Sequence, residues 1–88
     1  MIDVIGLERL GPFRLRIAFS DGSTGDRDFF TMVAEPGPML EPLRAAAYFD
    51  RVFLEFGAPT WPNGFDIAPE WLRREMAAAG ELRGATAA

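Results

Sequence analysis

Histidine, cysteine and lysine are all absent from this chain. Each absence removes a class of chemistry. A serine or cysteine triad needs an imidazole to move its proton, and none is available. Tetrahedral zinc sites draw on Cys and His ligands. Without lysine there is neither a Schiff base nor a Walker-type phosphate lysine. Without cysteine no disulfide can form, so packing alone must hold the fold. No apolar run approaches the roughly 20 residues that a membrane helix requires. Carboxylates remain as the acid/base groups, and the expectation is a chain without catalysis, metal or cofactor.

What is present points to one small globular unit. The 88 residues suffice for a single domain. Apolar residues make up 49% of them, too many for whole-chain disorder. All nine basic residues are arginine, and they face 13 acids, for a net charge of −4. That balance repels phosphate backbones and disfavours nucleic-acid binding by this domain alone. The arginine bias, beside abundant Ala, Gly and Pro, reads as the imprint of a GC-rich coding genome. Met1 passes at once into strand-like sequence, so no signal peptide and a cytoplasmic location are expected.

Residues 2–10 read as a first strand with a bend or bulge at Gly6, followed by a Gly11-Pro12 turn. Phe13, Leu15, Ile17 and Phe19 then alternate with Arg14, Arg16, Ala18 and Ser20. Period two predicts the first set on a buried face and the arginines toward solvent. The Asp21-Gly22 turn leads into a third strand over 24–29, completing an antiparallel meander. Phe29 to Val33 suits a helical turn, and Glu35-Pro36-Gly37-Pro38 breaks it. A short helix over 43–48 would lay Leu43, Ala46, Ala47 and Phe49 on the sheet. Alternating Val52, Leu54 and Phe56 predict a fourth strand, and Thr60-Trp61 after Pro59 a fifth at an edge. Pro69 opens a last helix. The expected fold is thus α+β: an antiparallel β-meander with two additional short strands and one or two helices packed on one face. Residues 1–79 form the single domain, and 80–88 a flexible C-terminal tail.

Several residues carry two readings. Asn63-Gly64 is a turn before it is a ligand contact, since both residues tolerate positive φ. Asp66 is a helix or loop cap before it is a base. Trp61 and Trp71 are core covers, or interface anchors. Asp26 and Asp28 share a strand face and could form a carboxylate pair for acid/base work. Arg14 and Arg16 could grip an anion. Pairing of those arginines with Asp26 or Asp28 across the hairpin explains both clusters structurally.

The run Trp61-Pro62-Asn63-Gly64-Phe65-Asp66-Ile67, with Phe19-Ser20-Asp21-Gly22 and Glu41-Pro42-Leu43, resembles the "domain of unknown function 2442" family over about residues 2–76. The resemblance implies a small bacterial α+β domain of unassigned activity. Some members carry a helix-turn-helix domain after this one. Others look like the small partner in gene pairs resembling toxin–antitoxin modules, often beside a "domain of unknown function 4160" protein. One departure is Ala68, where many members place an acidic cap before the helix proline, which leaves any capping to Asp66.

The functional expectation is therefore a non-catalytic protein-interaction module, antitoxin-like in the sense the resemblance implies. Its partner would be a small protein with a basic surface, met by the acids Asp26, Asp28, Glu35 and Glu41 near the Pro-Gly loop. The alternative is a DNA-associated regulator or regulatory fragment, for which 88 residues leave no helix-turn-helix domain.

Overall fold

Alternation in residues 14–19 decides the sheet. In the computed structural model, which describes residues 1–84, strand β2 (Arg14–Phe19) buries Leu15, Ile17 and Phe19 on one face. Arg14, Arg16 and Ala18 occupy the other face. Strands β1 (Val4–Gly11) and β3 (Thr24–Asp28) flank β2 antiparallel, as the meander requires. The ladder between β1 and β2 slips between Val4 and Gly6, so the anticipated bulge is present and Ile5 is squeezed out toward solvent. Phe13 packs its ring against the core at Phe49, on the expected side, but is not a strand residue. It belongs to the turn before β2, is half-buried, and holds φ +60.

A fourth strand corrects the expected tail. After helix α3 (Pro69–Ala78), Leu82–Arg83 form β6 and pair with β3, giving the order β1-β2-β3-β6. Gly25 permits this pairing. A Cβ there would collide with the Glu81 carbonyl oxygen and lie 2.9 Å from Met76 Cε. Residues 85–88 of the expected tail lie outside the described residues.

Short helical pieces cover the buried face: α1 (Phe30–Val33), a 3-10 turn (Pro42–Arg44), α2 (Ala46–Phe49) and α3. The helix expected over 43–48 is split, because Ala45 is extended at φ −84, ψ 122. Leu43 and Phe49 are buried as anticipated, whereas Ala47 is exposed. In α3, Leu72 and Met76 stand four residues apart and are buried together. Ala68 at the start of α3 gives no side-chain cap, and Asp66 does not supply one.

Strands β4 (Phe53–Glu55) and β5 (Ala58–Thr60) form a separate hairpin. The fourth strand expected from Val52, Leu54 and Phe56 is present over Phe53–Glu55, though Leu54 and Phe56 are exposed. The turn falls on Phe56-Gly57, so Phe56 is a turn residue rather than the end of a strand. Pro59 fits β5 because it faces Leu54 between the two bonded pairs, Glu55–Ala58 and Phe53–Thr60, where the ladder needs no N–H.

The core is a chain of aromatic rings. Phe29 meets Phe49 at 5.7 Å, Phe49 meets Trp61 at 5.4 Å, and Trp61 meets Phe65 at 5.7 Å. Every buried side-chain polar atom among the described residues has a hydrogen-bond partner. Among the same residues no helix is long and apolar enough to cross a membrane.

Candidate functional site

The Trp61–Ile67 block is spent on structure. The Trp61 ring is buried, and its Nε1–H donates to the Phe49 carbonyl at 2.9 Å, tying the hairpin to the end of α2. Asn63 Nδ2 donates to the Met39 carbonyl at 2.9 Å, and Asn63 Oδ1 accepts the Phe65 N–H at 3.1 Å. One side chain thus shapes the turn and pins the Pro-Gly loop to it. Gly64 takes φ +91, as the Asn-Gly turn predicts. Asp66 is exposed and its backbone bridges to Thr60. These four residues do not converge on a common cleft.

The strand acids divide. Asp26 lies opposite Arg16 in the ladder and receives Arg16 Nε at 2.8 Å and Nη2 at 3.1 Å. This hydrogen-bonded pairing holds the Asp26 carboxyl below its ordinary pKa and raises that of the Arg16 guanidinium. Asp28 lies opposite Arg14 but turns its carboxylate to the Phe30 N–H at 2.8 Å, at the start of α1. Asp26 and Asp28 therefore share a strand face without acting as a carboxylate pair. A different acid is the more strongly perturbed. The Ser23 hydroxyl and amide both donate to Asp21, and Arg73 adds a contact at 3.0 Å, holding the Asp21 carboxyl at about 2.

Asp28 also stands at the rim of a groove of about 290 Å³ where the end of β3 and α1 face α3. Trp71 lines it, with 40% of the residue's surface open to solvent. Met32 and Thr31 add to the lining, and Glu35 and Glu75 bring two further carboxylates. Arg27 lies in the same groove, but its Nη1 is held by Glu81 at 2.9 Å. That leaves Trp71 in a groove with three acids, none within ion-pair distance of an arginine among the described residues, and with Arg27 as its lining cation. Such a surface is suited to a guanidinium or ammonium group: the ring quadrupole attracts a cation, and the carboxylates accept its N–H bonds. Among the described residues no group of His, Cys, Asp or Glu gathers closely enough to hold a metal ion.

Of the acids anticipated for partner contact, Asp28 and Glu35 reach this groove, while Asp26 is paired elsewhere and Glu41 precedes the 3-10 turn. Glu75 went unremarked in the sequence reading, although a signal was there. Trp71 and Glu75 are four residues apart, one position behind the buried pair Leu72 and Met76, so both belong to one exposed stripe of α3. No family model matches the chain, and neither curated proteins nor solved structures yield a match.

Proposed function

We propose that this protein is a non-catalytic interaction module whose groove at Trp71 receives a basic side chain of a protein partner. The observation that carries the reading is the exposed indole of Trp71 set among Asp28, Glu35 and Glu75. The net charge of −4 supports it, since an acidic surface speeds encounter with a basic partner and repels acidic ones. The antitoxin-like role that the resemblance implies is of the same kind: a small acidic protein covering a basic one. The partner proposed is a small protein with an arginine- or lysine-bearing surface.

Calorimetric titration of the full chain with a short arginine-rich peptide tests this. Binding should weaken as salt rises. Trp71→Ala should cost about 0.5–2 kcal/mol of affinity through the lost cation–π contact. Glu75→Gln should weaken binding and flatten its salt dependence. Absence of binding at low salt, or binding indifferent to both substitutions, would remove the reading.

A further inference from the structure

Asn63 carries the only side-chain amide in the chain, since there is no other asparagine and no glutamine. Glycine follows it, and that makes the pair reactive wherever the backbone is free. The amide nitrogen after an asparagine can attack the side-chain Cγ, and glycine offers that nitrogen with no Cβ in the way. Gly64 N gives its proton to a solvent base and bonds to Asn63 Cγ. The Cγ–Nδ2 bond breaks, and the nitrogen takes a proton from water and leaves as ammonia. The product is a succinimide ring. Water then opens the ring at one carbonyl or the other, leaving aspartate or isoaspartate at position 63. Water is the only co-reactant, and nothing is oxidised or reduced.

The fold engages each group that this reaction uses. The Gly64 N–H, whose proton must be lost, donates to the Trp61 carbonyl at 2.9 Å. The leaving nitrogen, Nδ2, donates to the Met39 carbonyl at 2.9 Å, and Oδ1 accepts the Phe65 N–H at 3.1 Å. Ring closure must break the first two of these bonds from any starting geometry. Trp61 is itself buried and tied to Phe49, so the carbonyl that holds Gly64 is anchored in the core.

We propose that Asn63 is a latent deamidation site, silent while its turn is docked, and that its conversion unpins the Pro-Gly loop. An ionised aspartate accepts hydrogen bonds and donates none. It can keep the Phe65 N–H, so the turn survives, but it offers nothing to the Met39 carbonyl and sets a carboxylate against that oxygen. Isoaspartate also lengthens the backbone of the turn by a methylene. The two ends of the loop are held by different side chains. Arg44 takes the Val33 and Glu35 carbonyls, each at 2.7 Å, and Asn63 takes Met39. Conversion therefore frees the stretch from Gly37 to Leu40 and leaves Glu35 in place. The Trp71 groove is untouched, and the inference stands independently of it.

Intact-mass spectrometry of the full chain, held at mildly alkaline pH either folded or unfolded in urea, tests the first half. With one side-chain amide in the chain, the mass change reports Asn63 alone. Deamidation of the folded chain should be at least about tenfold slower, because the turn must open before the ring can close. Asn63→Asp reproduces the aspartyl product and tests the second half. Its thermal melt should still show a folded protein. Amide exchange should quicken at Leu40, whose N–H bonds to the Gly37 carbonyl within the loop, and stay as in the wild type at Val33, on the side held by Arg44. Equal deamidation rates in the folded and unfolded chains, an Asn63→Asp variant whose Leu40 exchange is no faster, or one that unfolds as a whole would each overturn the proposal.

Discussion

At the scale of single residues, Trp61 and Asp21 bear stability in different ways. Trp61 fills the centre of the aromatic chain and also satisfies a buried carbonyl. Trp61→Ala should cost about 3–5 kcal/mol by denaturant unfolding, the ordinary range for removing a buried aromatic. Trp61→Phe keeps a ring but removes one of two donors to the Phe49 carbonyl, which retains the Val52 N–H at 3.2 Å, and should cost about 0.5–1.5 kcal/mol. A loss below about 1 kcal/mol for the alanine variant would contradict the packing role. Asp21 acts through ionisation. Its folded pKa of about 2 lies below the ordinary value of 3.8, so the unfolded chain takes up the proton first. The stabilisation is therefore complete above about pH 4 and drains away as pH falls through about 2. Melting curves across that window should fall more steeply for the wild type than for Asp21→Asn, and parallel curves would count against the assignment. Trp61 was legible as a core cover from its size and setting. The depression at Asp21 rests first on the Ser23 hydroxyl and amide, a local signal two positions on that went unread, and only its smaller contribution from Arg73, 52 positions away, was beyond the reach of the sequence.

At the scale of elements, legibility followed periodicity. The alternation of Leu15, Ile17 and Phe19 determined β2 and, through the Asp21-Gly22 turn, the pairing with β3. Where the local pattern was short, tertiary position overrode it. Val52, Leu54 and Phe56 alternate, yet the turn begins at Phe56 and the pattern ends there. The Leu82–Arg83 strand had no local signal at all, since two residues show no period. Its place is set by the end of α3 and by the bare backbone at Gly25. Gly25→Ala tests that dependence. The new methyl would meet the Glu81 carbonyl oxygen, which cannot move without disturbing β6, and Met76 Cε at 2.9 Å. The expected outcome is a loss of about 1–3 kcal/mol, with faster amide exchange at Thr24, whose N–H faces β6, as β6 detaches. Unchanged exchange would mean that β6 does not depend on the glycine. The candidate groove was legible only in part, for the same reason. Asp28 and Glu35 could be named from their neighbourhood in the chain, but Trp71 and Glu75 reach them only once α3 has packed.

At the scale of the whole molecule, the arrangement of charge matters more than its sum. Five of the nine arginines lie within ion-pair distance of a carboxylate: Arg9, Arg16, Arg27, Arg73 and Arg83. Arg44 is held by the Val33 and Glu35 carbonyls, each at 2.7 Å, and Arg51 rests over the Tyr48 ring. The positive charge is therefore dispersed and largely matched by neighbouring acids or backbone. The unmatched charge in the Trp71 groove is negative. Duplex DNA binding depends on several cations meeting phosphates at once and releasing their counterions. A fluorescence-anisotropy titration of labelled duplex at physiological salt should accordingly show no appreciable binding by this chain. Lowering the salt strengthens phosphate contacts wherever a basic face exists, so it should not rescue binding here. Micromolar binding that weakens steeply with salt would instead require a cationic face, and would favour the DNA-associated regulator over the interaction module. The same titration with the Glu35→Gln, Glu75→Gln double variant sharpens the comparison. If acidity alone kept DNA away, removing two acids from the groove should begin to admit it. Continued absence of binding is the expected result, because no basic stripe is uncovered by their loss.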